Sequence, residues 1–323
     1  MTELVRIEHI DKKYKEWVRV EWNLGKRCNF DCSYCPPDLH DNSSGHADLK
    51  SFDNTIQKIR ESYIDKKVRM SITGGEPFVH PRILEILSLF SKYNIDEVST
   101  ITNGSLPLVK YEASFEHLDH LIFSWHYEHL KEEHMRNVLY GLKDRPIHVH
   151  LMFLPGRLEE IKNTVSWLED NGIRYNIRRI RPLFTPVGGF NLPGSSGMEG
   201  IHSKQSPDGY YSQEELEYLD TFSKAGTSQD NAEFFTTESS WFDNVNTLLK
   251  NRQNSFVGWK CMAGIETLYI ENDGNIFRAT CKQGGPIGNI SEDFKIPNNP
   301  IICAKQWCNC AADLNTTKWN KNG

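Results

Sequence analysis

The 323-residue chain has no run of about 18 apolar residues, which excludes a membrane-spanning helix on sequence grounds. Its opening stretch, MTELVRIEHIDKKYKEW, lacks an apolar core ahead of a small-residue cleavage site, so no secretory signal is expected and the cytoplasm is the predicted location. There is no basic excess either. Lys plus Arg number 37 against 43 Asp plus Glu, and the formal charge of −6 leaves nucleic-acid binding unsupported. No internal repeat is visible. Cysteine is missing from the 225 residues between Cys35 and Cys261, yet eight thiols crowd the two flanking regions. In a reducing compartment such clusters more often hold metal than disulfides.

Hydrophobic residues make up 38% of the chain, aromatics 11% and charged residues 25%, which suits a packed globule. The length suggests one large domain with a smaller appendage. Short apolar segments at 18–24, 68–73, 97–102, 120–125, 147–153 and 174–180 predict six strands. Amphipathic stretches near 50–64, 82–93 and 128–142 predict helices between them. Between the fifth and sixth strands, Leu158, Ile161, Val165 and Leu168 recur at helical spacing, and Asn171-Gly172 closes that helix. The expected class is α/β, with strand–helix units around a parallel sheet. From 184 to 255 the composition turns polar and reads as a linker or lid, with a capping box at Ser212 and Glu215. The segment ETLYIENDGNIFRAT (266–280) alternates around Asp-Gly and predicts a hairpin.

The chemistry concentrates in two motifs. In RCNFDCSYCPP, directly after the first strand, Cys28, Cys32 and Cys35 follow a C-x3-C-x2-C pattern that lets three thiolates converge on one inorganic centre. A four-iron cluster held this way keeps one iron free of protein ligands. Zinc, with His40 as a fourth ligand, is the alternative. The second strand ends in MSITGGEPFVHP, placing Gly74-Gly75-Glu76-Pro77 on the same rim of a parallel sheet. Two glycines there permit close approach of a ligand to the backbone.

Together these motifs resemble the radical S-adenosylmethionine (radical SAM) superfamily, over 16–183 as a strand–helix pattern and at motif level in 28–35 and 74–77. The resemblance implies a partial (β/α)6 TIM-like barrel. It implies that Cys28, Cys32 and Cys35 bind a [4Fe–4S] cluster whose fourth iron is chelated by S-adenosylmethionine, with a flavodoxin- or ferredoxin-type protein as reductant. Tyr34 would lie against the adenine, and Gly74, Gly75 and Glu76 would receive the methionine ammonium. Thr102 and Asn103 look like positions lining the cofactor cleft, and Ser124 resembles the ribose-contact position; a cap or turn role is the alternative for each. His126, on the same rim, is a candidate for proton transfer, set against a purely structural histidine.

At the other end, Cys261 and Cys281 bracket the hairpin, and Cys303, Cys308 and Cys310 follow in CAKQWCNC. Five thiols are one more than a cluster needs. This arrangement resembles the twitch, or shortened SPASM, extension of the superfamily, a small hairpin-plus-helix domain holding an auxiliary [4Fe–4S] cluster; a zinc site with four thiolates is the alternative. The implied organisation is an extension at 1–15, the barrel at 16–183, a linker or lid at 184–255 and the cluster domain at 256–323. The implied activity is reductive cleavage of S-adenosylmethionine and hydrogen abstraction from a small-molecule, sugar, nucleotide or peptide substrate. With no winged-helix-like region ahead of residue 16, a small substrate is the leaning. The competing reading is a metal-stabilised binding protein without catalysis. A third, a two-cluster electron carrier, leaves Gly74–Pro77 unexplained.

Overall fold

The computed structural model describes residues 3–9, 16–35, 40–180, 210–222 and 231–323. After β1 (Arg6–His9), six strands follow: β2 (Trp17–Asn23), β3 (Lys67–Thr73), β4 (Glu97–Thr102), β5 (His120–Trp125), β6 (Ile147–Phe153) and β7 (Tyr175–Arg179). All six are parallel and lie side by side in chain order. The crossovers carry α1 (Leu49–Ser62), α2 (Ile83–Lys92), α3 (Leu108–Ser114), α4 (Glu132–Gly141) and α5 (Leu158–Asp170). The predicted strands match closely. Seven-residue α3 was not anticipated, because so short an element shows too little periodicity to declare itself.

Strand alternation divides the sheet into two faces. Val20, Met70, Val98, Phe123, Val149 and Ile177 join one core with Phe52, Ile56 and Ile59 of α1 and their counterparts on the other helices. The Asp48 side chain caps α1 by accepting from the Ser51 amide. Glu21, Ser71, Ser99, His150 and Arg178 fall on the opposite phase, making the face turned away from the helices polar. The candidate site stands at the carboxyl ends of these strands.

The later strands are β8 (Asn231–Phe235), β9 (Ser240–Asn244), β10 (Lys260–Cys261), β11 (Thr267–Ile270), β12 (Asn275–Phe277), β13 (Gly288–Asn289), β14 (Ile301–Ile302) and β15 (Lys318–Trp319). The hairpin forms as β11 and β12, antiparallel, with Gly274 at φ +82° in its turn. It does not stand apart as a small unit. Strand β11 pairs in parallel with β2, from Thr267 opposite Arg19 to Ile270 opposite Trp22, so the main sheet grows to nine strands in the order β13-β12-β11-β2-β3-β4-β5-β6-β7. The physical reason is twofold: the outer edge of β2 has backbone groups to satisfy, and Leu268 and Ile270 extend its core.

A second sheet, ordered β14-β10-β15-β1-β8-β9, draws β1 from the amino-terminal extension and β8 and β9 from the linker region. In that region α6 (Gln213–Phe222) begins with the expected reciprocal cap. The Glu215 amide donates to Ser212 Oγ at 3.2 Å and the Ser212 amide donates to the Glu215 carboxylate at 2.7 Å. The VGGFNLPGSSGMEG segment of the linker or lid lies outside the described residues. No helix among the described residues is long and apolar enough to cross a membrane.

Candidate functional site

The loop after β2 is tied down on both sides. The Cys28 amide donates to Asp41 O at 2.6 Å, and the Glu76 amide donates to Arg27 O at 2.9 Å. That second bond joins the cysteine loop to the Gly-Gly-Glu-Pro loop, and the glycines make the joint possible. Gly74 (φ +94°) and Gly75 (φ +51°) are left-handed, and a Cβ on Gly75 would stand 2.2 Å from Arg27 O. A Cβ on Gly74 would stand 2.8 Å from Gly25 O. The close approach read from the two glycines is thus made by the protein's own backbone at residues 25–27.

Glu76 is buried, and its carboxylate accepts from the Phe78 amide at 2.9 Å, Thr102 Oγ1 at 2.8 Å and the Asn103 amide. Burial raises its pKa to about 7, with those three donors pulling the other way. Asn103 in turn donates from Nδ2 to Asn29 Oδ1 at 2.8 Å, and Asn29 donates to Ser105 Oγ at 2.8 Å. Thr102, also buried, touches Tyr111 as well as Glu76. The side chains of Glu76, Thr102 and Asn103 therefore brace three rim loops against one another. Ser124 sits buried on the polar face at the end of β5, opposite His150 of β6.

Tyr34 and His126 meet beside the thiols. The Tyr34 hydroxyl lies 2.5 Å from His126 Nδ1, the rings are stacked with centroids 5.9 Å apart, and Cys32 Sγ is 3.6 Å from the same nitrogen. Burial pushes the phenol up and the imidazole down to about 4, so the proton rests on the tyrosine oxygen, which donates to a neutral imidazole. Glu128 was not foreseen: its carboxylate accepts from the amide and hydroxyl of Ser33, holding the cysteine loop from the β5 side. No motif marks it; only its place two residues past His126 hinted at a rim position. His40 Nε2 lies 3.0 Å from Asp31 Oδ1.

Burial also raises the thiols, Cys28 above its ordinary value and Cys32 to about 12. Unactivated thiols are poor nucleophiles, and coordination to a metal is what would deprotonate them. As a donor set, three thiols on one loop fit an iron–sulfur cluster that keeps an open position, with Glu128 and His129 beside Cys32 within 4.8 Å of it and of each other.

At the carboxyl-terminal end, Cys261, Cys281, Cys303 and Cys308 line one cavity together with Phe256, Asp313 and Lys318. Cys310 is not among its walls. Two backbone hydrogen bonds hold the late cysteines: the Cys308 amide donates to Asn254 O at 2.9 Å, and the Cys303 amide donates to Trp259 O at 2.8 Å. Buried Lys318 donates to the Asp313 and Leu314 carbonyls at 2.6 and 2.8 Å, while the Asp313 carboxylate accepts from Thr280 Oγ1 and the Cys281 amide. Burial raises Cys261, Cys281 and Cys308, and Cys310 to about 12. All five predicted thiols are thus gathered in one region, four of them around one space.

A parallel sheet with a three-thiol loop at its first carboxyl end and a Gly-Gly-Glu-Pro loop at its second defines a class, and residues 22–180 match the model of the Radical SAM superfamily. The chain carries a radical SAM domain over that span. Among curated proteins, it is 35% identical over 99 residues to a GTP 3',8-cyclase of Actinobacillus pleuropneumoniae serotype 5b, covering 29% of this chain and 28% of that protein. To the GTP 3',8-cyclase of Campylobacter fetus subsp. fetus it is 27% identical over 99 residues, 30% of each chain. The alignments thus span less than a third of those relatives. Among solved structures, it resembles Streptococcus suis SuiB bound to precursor peptide SuiA (TM-score 0.55, 14% identity, 88% of this chain and 65% of that one). It also resembles anSMEcpe with bound AdoMet (TM-score 0.53, 10% identity, 86% and 79%). These two likenesses show the fold.

Proposed function

We propose that this chain is a radical SAM enzyme in which Cys28, Cys32 and Cys35 hold a [4Fe–4S] cluster. The observation that carries the reading is the three-thiol loop locked to the Gly-Gly-Glu-Pro loop by the Glu76 amide donating to Arg27 O, an approach that the missing Cβ of Gly75 permits. Once bound, cluster and S-adenosylmethionine supply reductive cleavage of the sulfonium and a 5′-deoxyadenosyl radical that abstracts hydrogen from substrate. The chain's own residues position and shield. Gly74, Gly75 and Glu76 form the cradle for the methionine end, with the Glu76 carboxylate acting through the rim loops it braces. Tyr34, fixed by His126, walls the adenine side, and Ser124 faces the ribose. His126 holds the tyrosine proton. Thr102 and Asn103 set the shape of the cleft.

Cys261, Cys281, Cys303 and Cys308 are assigned to an auxiliary [4Fe–4S] cluster of the twitch or SPASM-like kind, with Cys310 the spare thiol. Four ligands close that cluster, suiting it to oxidising or rearranging a substrate radical by electron transfer. A zinc ion held by the same four thiolates is the alternative, and metal analysis of the purified protein distinguishes the two. The substrate is a nucleotide, sugar, peptide or other small molecule, and a flavodoxin- or ferredoxin-type protein supplies electrons. The test is Cys32→Ala in anaerobically reconstituted protein: 5′-deoxyadenosine formation is expected to vanish while the fold persists. Undiminished 5′-deoxyadenosine would refute the assignment.

A further inference from the structure

Large apolar side chains in contact with water are few among the described residues, and three of them gather near one thiol. Val257 is 59% exposed, Ile302 53% and Trp307 41%. The Gly258 amide donates to Cys303 O at 2.8 Å, which sets Val257 against the strand that carries Ile302. Trp307 and Lys305 line the four-thiol cavity with Cys303, so one side chain, Trp307, touches both water and that cavity.

The charge around this patch is of one sign. Neither 252–261 nor 299–312 contains an acidic residue, in a chain whose formal charge is −6. Lys260 stands opposite Ile302 in the β10–β14 register, and Arg252 lies two residues before Asn254, whose carbonyl holds the Cys308 amide. Arg252, Lys260 and Lys305 make no ion pair or side-chain hydrogen bond with a described residue. Elsewhere cations are matched: Arg60 pairs with Asp96 at 3.1 Å and Arg157 with Glu160 at 2.8 Å. Asp313, the carboxylate in the cavity wall, is buried and already accepts from Thr280 Oγ1 and the Cys281 amide. The exposed aromatic pair on β9, Trp241 and Phe242, has the opposite surroundings, with Glu233 across from Phe242 and Asp243 beside it.

We propose that Val257, Ile302 and Trp307, with Arg252, Lys260 and Lys305 around them, form the docking surface for a small acidic electron carrier of the flavodoxin kind, seated over Cys303. An apolar centre within a rim of cations is complementary to a carrier whose flavin presents an apolar ring edge inside an acidic rim. Cations without internal partners give up no ion pair on association, and they steer an acidic protein to this face although the whole chain is negative. One electron crosses the contact: the anionic flavin hydroquinone becomes the neutral semiquinone, the cluster behind Trp307 gains that electron, and no proton moves. The docking surface rests on the auxiliary-cluster reading only for calling its occupant a redox protein.

The test is fluorescence-anisotropy titration of labelled, purified flavodoxin with the anaerobically reconstituted full-length protein, repeated with a ferredoxin. Saturable binding of the flavodoxin is expected, weakening as salt rises. Lys260→Glu/Ile302→Ser should weaken it about tenfold or more, because a rim charge is reversed and a central apolar contact is lost. Val109→Ser/Lys110→Glu, the same kind of change on the exposed side of α3, should leave it unchanged. Melting temperature and iron content show that each variant is folded and loaded. Should the double variant not fold, Lys260→Gln decides, with an expected loss of about threefold. No saturable flavodoxin binding, wild-type affinity in the folded variant, or tighter binding of the ferredoxin overturns the proposal. Binding requires no cleavage of S-adenosylmethionine, so its failure is separate from a failure of the Cys32→Ala test, and the iron count reports on the auxiliary cluster by itself.

Discussion

Gly75→Ala isolates the joint between the two rim loops. Gly75 holds φ +51°, where a side chain costs about 1–2 kcal/mol, and its new Cβ would meet Arg27 O at 2.2 Å. Relieving that clash costs a further amount of about 1–3 kcal/mol and pulls the Glu76 amide from Arg27 O, about 1 kcal/mol more. The sum is about 3–6 kcal/mol, a fall in melting temperature on the order of 10 °C for a chain of this size. Gly156→Ala is the matched control: Gly156 has φ +79° but no atom within 4 Å of its built Cβ, so it incurs only the backbone term. Scanning calorimetry of both variants gives the difference, and iron content after reconstitution reports whether the cysteine loop has shifted. Equal melting losses in the two variants, or a full iron complement in Gly75→Ala, would refute the idea that this contact positions the thiols.

Two further predictions concern the lower face and the tail. Glu21 is pushed up to about 7 by burial and then by the Asp313 carboxylate, with Arg19 opposing. A folded value above the ordinary 4.5 means the native state keeps a proton the unfolded chain releases, so this contribution is complete below about 4.5 and lost as pH rises to about 7. Glu21→Gln should therefore flatten the decline in denaturation midpoint between those values; an unchanged slope would contradict it. Replacing both Cys261 and Cys281 by Ala should remove about four irons while sparing the amino-terminal cluster, whereas Cys310→Ala should remove none. Iron loss on Cys310→Ala would show that the wrong thiol was set aside.

The parallel strands were legible because each alternates cleanly, as in VRVEWNL and IHVHLMF, and because parallel crossovers need helices of a length that shows its period. The thiol motifs were legible from spacing alone. The partners of Glu76 were not: its contacts to Thr102 and Asn103 span 26 and 27 positions, and nothing local encodes them. Glu128 was hidden for the same reason, 95 positions from Ser33. The hairpin at 266–280 announced its own turn but not its neighbour, because pairing of β11 with β2 depends on an open sheet edge rather than on either sequence. That Cys310 lies off the cavity was equally invisible in CAKQWCNC, where three thiols look equivalent until the chain bends.

That β2–β11 ladder sets the order in which the molecule can be completed. Its partners are about 250 residues apart, so the contact closes one of the longest loops in the chain and comes late on any route governed by loop entropy. As synthesis proceeds from the amino end, the six parallel strands can assemble first, leaving β2 with an unsatisfied edge until the hairpin emerges. During that interval the growing chain offers a bare template for strand addition by another molecule. Truncation just before residue 260 would make the interval permanent, and aggregation through β2 is the hazard that the final strands remove.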